Sequence, residues 1–245
     1  MRSFVLSALF CLSHFLFAQG SSDASFTFKG SYHNIYLFRG HVFNDDTTAI
    51  GAFGAGIARW SYDLIYVDPL EQQGGLNSEY NHTVTFTTAS RGRISTLGYT
   101  FYDYDGLIPD TQEIFFRVSH TGKWNPTYGL SFDFDTYKGY YLDYSLTRNF
   151  PFSRRTSFVA SLWGGISYNL TEERNESDQI TEPGFFGKDG FNHASALLKY
   201  AWQPADWLSI ETGLQYHYAF DDFLYDGTII KRDNTEWRSA FTIRL

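Results

Sequence analysis

The chain has 245 residues and a formal net charge of −8, with 27 aspartates and glutamates against 19 lysines and arginines. This acidic balance argues against nucleic acid as a partner, since binding to a phosphate backbone depends on an excess of basic residues. Aromatic residues make up 20% of the chain, yet the mean hydropathy is only −0.31. Alternation of lipid-facing and water-facing residues along strands predicts this combination.

The N-terminus has the pattern of a secretory signal peptide over residues 1–20. Arg2 is followed by a short apolar run that ends in small residues, with cleavage expected after Ala18 or Gly20. The single cysteine, Cys11, lies inside this segment, so the exported chain would be stabilised without disulfides. The remaining residues, 21–245, are predicted to form one domain.

From Ala24 onward, about twelve segments show the period-two alternation of strands, separated by turn residues. No apolar stretch after the signal approaches the roughly 20 residues that a spanning helix needs. The pattern predicts an all-β fold, a transmembrane antiparallel β-barrel of about 12 strands with periplasmic termini. The strands are expected near 24–40, 48–58, 60–67, 80–88, 93–103, 112–119, 127–135, 139–148, 156–170, 192–202, 206–219 and 237–245.

The last predicted strand has one apolar face and one face with two arginines. Trp237, Phe241 and Leu245 lie on the first face, and Arg238 and Arg244 lie on the second. A barrel closes by pairing such a strand with the first one, which leaves no free sheet edge. The ending resembles the C-terminal signal of outer-membrane barrels, with Leu245 in place of the usual Phe, and it implies contact with the barrel-assembly machinery.

The length of each connection between strands correlates with its charge. Longer connections alternate with short turns in the order expected for external loops and periplasmic turns, with one exception at 136–138. The short turns and their flanks are basic, whereas the longer loops are acidic, so we expect an acidic outer mouth that concentrates cations. Alternatively, these loops are simply solvated and contact lipopolysaccharide through divalent cations. The acidic loop residues are Asp45, Asp46, Asp68, Glu71, Asp105, Asp110, Glu172, Glu173, Glu176, Asp178, Glu182, Asp189, Asp221, Asp222 and Asp226.

The first predicted strand carries the stretch Asn34-Ile35-Tyr36-Leu37-Phe38-Arg39-Gly40, followed by a polar loop. It resembles the Y-x-F-R-G opening of the TorF-like porin family of Gram-negative bacteria, and the resemblance extends over about residues 24–66. It implies an outer-membrane porin with a poorly defined substrate. It singles out Tyr36, Phe38, Arg39 and Gly40, and it implies no catalytic residue.

Strand parity places charged side chains of both signs inside the barrel. We expect them to line a polar lumen, because rings of charged side chains determine which ions a pore accepts. Each one taken singly is more often a structural ion pair. The predicted function is passive diffusion of small hydrophilic solutes or ions across the outer membrane, among lipid and lipopolysaccharide and without a cofactor. The candidate lumen and selectivity residues are Arg39, Glu113, Arg117, Asp133, Asp143, Lys199, Glu211 and Arg238.

Two other functions compete with a channel. An outer-membrane enzyme would need a Ser/His/acid set, and His193 and Ser195 share a strand face, with Asp221-Asp222 near the external rim. No G-x-S-x-G, H-E-x-x-H or calcium-loop pattern accompanies them, so neither a catalytic residue nor a metal ligand is assigned. A structural or adhesive barrel without an open pore is the other alternative. The loop at 171–190, with Gly184-Phe185-Phe186-Gly187, could either fold inward as a constriction or bind outside.

Overall fold

A computed structural model describes residues 24–70, 76–106, 109–171, 173–174, 180–182, 184–220 and 233–245. The predicted signal peptide, 1–20, therefore lies outside the described residues. In the part of the chain that is described, no helix is long and apolar enough to cross a membrane. The strands are β1 (Ala24–His33), β2 (Tyr36–Phe38), β3 (His41–Asn44), β4 (Thr48–Ile57), β5 (Trp60–Pro69), β6 (Leu76–Ser90), β7 (Arg93–Gly106), β8 (Thr111–His120), β9 (Pro126–Asp133), β10 (Tyr140–Pro151), β11 (Thr156–Tyr168), β12 (Glu173–Arg174), β13 (Ile180–Glu182), β14 (Gly190–Ala205), β15 (Leu208–Ala219) and β16 (Asp233–Arg244).

Twelve of these strands form one closed barrel in which every neighbouring pair is antiparallel. The order around the barrel is β1, β4 to β11, β14, β15 and β16, and β16 returns to β1. Strands β2 and β3 pair with each other, as do β12 and β13. The predicted barrel of about twelve strands is confirmed.

The barrel closes where the last strand meets the first. Phe28 lies opposite Ile243 in the register, and the backbones of Phe26 and Leu245 exchange hydrogen bonds of 3.0 and 2.9 Å. The ring of Phe241 covers Gly30, where an added Cβ would lie 2.5 Å from a ring carbon. Closure leaves no row of unpaired backbone groups at a barrel edge, which is the condition for a sheet to span a bilayer.

The outer wall is apolar and the inner wall is polar. Leu97, Leu142 and Leu198 point outward with 56%, 45% and 57% of their surface exposed. The residues between them on each strand point inward. This arrangement is that of a bacterial outer-membrane β-barrel, whose outer band contacts lipid.

The two ends of the barrel differ in their connections. At the end where β1 begins and β16 ends, residues 58–59, 91–92 and 206–207 form two-residue turns, whereas longer segments join the strands at the opposite end. In outer-membrane barrels the short turns are periplasmic. We therefore call the end with the short turns the periplasmic end and the opposite end the outer end.

The first strand is shorter than its sequence pattern predicts. Strand β1 ends at His33, and the side-chain oxygen of Asn34 accepts a hydrogen bond of 2.5 Å from the backbone of Trp237. The chain then folds back into the lumen as the β2–β3 hairpin, which turns at Arg39 (φ 48°) and Gly40 (φ 93°). The prediction of a strand over 24–40 is wrong beyond His33, because the chain bends away from the wall at residues 34–35, before the hairpin turn, so that Tyr36 and Phe38 lie in the lumen. Part of the expected loop at 41–47 is strand β3.

Candidate functional site: the outer lumen

The β2–β3 hairpin fills the lumen near its outer end with aromatic side chains. Tyr36 is only 8% exposed and belongs to a buried cluster with Val67, Tyr102 and Tyr104 of the barrel wall. The ring of Phe38 lies 5.9 Å from that of Tyr102. The hairpin is thus packed against the wall as a core element would be, which is where its stability comes from.

A second external segment closes over the hairpin. Phe186 is fully buried, and its ring is stacked 5.9 Å from Tyr141. The ring of Phe185 lies 5.9 Å from that of Phe38, and its backbone oxygen accepts a hydrogen bond from Nε2 of His41. The sequence left the direction of 184–187 open, and the structure shows these residues folded inward.

Arg39, at the hairpin turn, is held by residues of three barrel strands. Its Nη2 atom lies 2.6 Å from Oε2 of Glu113 on β8 and 3.4 Å from Oγ of Ser131 on β9. Its guanidinium carbon lies 4.5 Å from the ring centre of Tyr141 on β10. Burial disfavours the charge of Arg39, but Glu113, Tyr102 and Tyr141 together favour it by more, so the pKa of Arg39 is raised. The predicted inward position of Arg39 and Glu113 is correct, although Arg39 arrives on the hairpin and not on a barrel strand.

A buried carboxylate fixes the other side of the hairpin. The hydroxyl of Tyr36 donates a hydrogen bond of 3.0 Å to Oε2 of Glu79, and the amide of Asn81 donates one of 2.5 Å to Oε1. Glu79 is fully buried, so these donors replace the water that a carboxylate would otherwise bind. Sequence reasoning missed Glu79, because its strand was expected to begin at residue 80.

Asp133 has a structural role among the predicted lumen residues. One carboxylate oxygen accepts the hydroxyl of Thr111 at 2.6 Å. The other accepts backbone N–H groups of Asp135, Tyr137 and Lys138 at 3.0 to 3.3 Å. These bonds organise the connection between β9 and β10, so Asp133 is occupied by its own loop and does not face an open passage.

The remaining predicted residues lie nearer the periplasmic end, where side chains are more accessible. Arg117 approaches Asp143 at 3.7 Å, with 48% and 25% of their side chains exposed. Lys199 lies 3.0 Å from Glu211, with exposures of 22% and 27%. Arg238 is half-buried on the same wall, on the strand next to that of Glu211. The lumen is therefore packed toward its outer end and more open toward its periplasmic end.

The serine and histidine of the enzyme alternative are arranged differently from the sequence pattern. Oγ of Ser195 lies 2.8 Å from Nδ1 of His217, and not beside His193. All three residues are at most 5% exposed beneath the hairpin, so a substrate does not reach them in this conformation. Asp221-Asp222 lie outside the described residues. Within the described ranges, no group of three or more His, Cys, Asp or Glu residues is placed to hold a metal ion.

Solved structures share the fold at very low sequence identity. The NanC porin aligns with a TM-score of 0.54 and 9% identity over 90% of this chain and all of its own. The COG4313 outer membrane channel from Pseudomonas putida F1 aligns with a TM-score of 0.52 and 8% identity, over 92% of this chain and 96% of its own. LpxR from Salmonella typhimurium, which is not named as a channel, aligns with a TM-score of 0.53 and 9% identity. The alignment covers 89% of this chain and 99% of LpxR.

No protein-family model matches the chain, and no curated protein matches it. The structural matches establish the architecture alone, that of an outer-membrane β-barrel. The more specific resemblance to the TorF-like family stays a prediction from the sequence.

Proposed function

We propose that the protein is an outer-membrane channel for the passive diffusion of small hydrophilic solutes or ions, restricted near its outer end by the β2–β3 hairpin. The observation that carries this proposal is the charged and partly accessible inner wall of a closed barrel. Arg117 is the clearest case, because nearly half of its side chain is accessible although it points inward. Charged side chains that line an accessible lumen are the groups by which pores select ions.

The acidic outer mouth supports a preference for cations at the entrance. The described outer loops expose Asp45, Asp105, Asp110, Asp135 and Asp189. Several further acidic loop residues, including Asp221 and Asp222, lie outside the described residues. Clustered negative charge raises the local concentration of cations, and added salt weakens the effect. Nearer the periplasmic end, Arg117 is paired with Asp143 and Lys199 with Glu211, and Arg238 adds a positive charge, so the cation preference belongs to the outer mouth.

A non-conducting structural or adhesive barrel is the second candidate, and a specific observation favours it. The hairpin and Phe186 pack the outer lumen with buried side chains. A barrel filled in this way passes solutes only if the hairpin moves. The enzyme alternative has no such support, because Ser195 and His217 are sealed beneath the hairpin.

Planar-bilayer recording tests the proposal. Refolded wild-type protein is compared with a variant in which residues 35–46 are replaced by a short Gly-Ser linker. Stepwise openings of the wild type support a channel, and the reversal potential in a salt gradient gives its ion preference. Openings of the linker variant alone favour a barrel that the hairpin closes. Silence of both proteins, with circular dichroism showing folded barrels, would establish the non-conducting alternative.

The membrane partners are part of the same proposal. The apolar wall and the β16–β1 closure support lipid and lipopolysaccharide contacts and assembly through the C-terminal strand. Export by a cleaved signal peptide is tested by N-terminal sequencing of the protein purified from outer membranes. A mature terminus at residue 19 or 21 is expected.

A further inference from the structure

Arg39 occupies a socket that the barrel wall provides. We define the guanidinium socket by Glu113, Ser131 and Tyr141, which come from three successive strands of the wall. The carboxylate of Glu113 accepts a hydrogen bond from Nη2 of the guanidinium, and the ring of Tyr141 lies near the guanidinium carbon. These are the two groups that recognise guanidinium in proteins, through charge-assisted hydrogen bonds and cation–π attraction.

The socket belongs to the wall and its occupant to the hairpin. At the level of the hairpin the described wall carries the buried carboxylates of Glu79, Glu113, Asp133 and Glu236. The hairpin brings one guanidinium into this acidic region. Without Arg39, the side chain of Glu113, which is 4% exposed, would have no cation beside it, and leaving a buried carboxylate without its partner is strongly destabilising.

We propose that the socket is a binding site for solutes that carry a guanidinium group, and that Arg39 is its tethered occupant. This inference rests on the proposed channel function, since such solutes reach the socket through the lumen. The inference specifies which cations the acidic outer mouth would attract, namely solutes that carry a guanidinium group. A compact ammonium ion fits less well, because it lacks the planar face that stacks on Tyr141.

The available space requires that Arg39 and a solute exclude each other. The cavity beside Arg39, lined in part by Asp133 and Tyr137, has a volume of about 10 Å³. That is about the room that one water molecule needs. A solute guanidinium therefore enters the socket only when Arg39 leaves it.

Because the hairpin tethers Arg39 next to the guanidinium socket, Arg39 competes strongly with any free solute for that site. A group on a short tether has an effective concentration on the order of millimolar or higher at its own site. A free guanidinium compound must exceed that concentration to compete, or bind with higher intrinsic affinity. Removing the Arg39 side chain should therefore reveal a site that is masked in the wild type.

The experiment is isothermal titration calorimetry of refolded, detergent-solubilised barrels with L-arginine. We expect Arg39→Ala to bind it at least about tenfold more tightly than the wild type. L-citrulline, which has nearly the same shape but no charge, should not bind. Adding Glu113→Gln to Arg39→Ala should abolish binding, and Arg117→Gln, which removes a different lumen guanidinium, should create no new site. If Arg39→Ala does not refold, Arg39→Gln serves in its place.

Two results would overturn the inference. One is the absence of L-arginine binding to a folded Arg39 variant, and the other is equal binding of L-arginine and L-citrulline. Calorimetry reports on the socket whether or not the barrel conducts, so these results differ from a failure of the channel proposal. That failure would appear as electrical silence of the wild type and the linker variant, with L-arginine binding intact.

Discussion

Gly40 and His193 are in contact where the hairpin turns against the barrel wall. A Cβ added to Gly40 would lie 3.0 Å from Cγ and Nδ1 of the His193 ring, and the backbone there has φ of 93°. Residues with a side chain rarely adopt that conformation. Both the backbone conformation and the contact with His193 therefore require glycine at position 40. This contact also determines how deeply Arg39 enters the guanidinium socket.

Gly40→Ala should weaken hairpin docking by about 1–3 kcal/mol from backbone strain alone, with the His193 contact adding to it. Trypsin measures the effect, because cleavage after Arg39 requires the buried turn to leave the lumen. We expect faster cleavage at Arg39 in the variant. Gly51→Ala is the matched control, since nothing lies within 4 Å of its added Cβ. Equal cleavage of both variants and the wild type would contradict the role given to Gly40.

Tyr36→Phe removes one of two side-chain donors from the buried carboxylate of Glu79. A buried charged group that loses a partner costs about 1–3 kcal/mol. We expect the variant to lose that much stability in a denaturant titration. Tyr216→Phe, at an outward position that is 49% exposed, should change stability by less than about 0.5 kcal/mol. A similar loss in both variants would mean that the Glu79 contact contributes nothing.

The facing of strand β10 predicts opposite tolerance at two nearby positions. Leu142 points outward and is 45% exposed, whereas Ser145 is half-buried on the inner wall. Leu142→Arg should cost about 2–4 kcal/mol if the position lies at the bilayer midplane. Ser145→Arg should be tolerated in the accessible part of the lumen. Unfolding of both variants in lipid vesicles decides the matter, and equal costs would refute the assignment of faces.

Hairpin docking should weaken in acid because of His41. Burial lowers the pKa of His41 from 6.5 to about 4. An undocked His41 would regain its ordinary pKa, so between pH 6.5 and pH 4 the undocked state binds more protons. The contribution of a neutral His41 to docking is therefore fully present above pH 6.5 and is lost progressively as the pH falls toward 4. Bilayer conductance should therefore rise as the pH is lowered from 6.5 to 4.

The matched variant for this pH effect is His41→Gln, which keeps a side-chain donor but does not titrate there. Its conductance should vary less with pH than that of the wild type. Nearby carboxylates and histidines also titrate in acid, so the informative quantity is the difference between the two proteins. Identical pH profiles would exclude His41 as the cause.

The sequence predicted which way side chains face wherever buried and exposed residues alternate along a single strand. Leu142 and Phe241 face outward as their parity predicts, and β16 closes the sheet against β1. The inward positions of Arg117 and Lys199 follow from the same alternation. Each of these conclusions depends on local period-two patterning, because a slip of one residue would expose every polar side chain of the strand to lipid.

The same reasoning failed at residues 34–47, where alternation continues after the chain has left the wall. Tyr36 and Phe38 keep the parity of β1, but they lie on a hairpin whose partners are in the lumen. Asn34 and Gly40 were the available signals of a break, since asparagine and glycine favour turns. Parity alone does not distinguish an aromatic residue that faces lipid from one buried in a plug.

By itself, the sequence determined the closed barrel, the facing of its strands and the presence of charges inside it, because each is encoded in neighbouring residues. Tertiary structure alone decided that Arg39 meets Glu113, 74 positions away, and that Ser195 meets His217 instead of His193. These contacts depend on a loop folding back into a space whose size the whole barrel sets. Contacts of that kind come from packing volume and charge pairing across distant strands, and no local pattern specifies them.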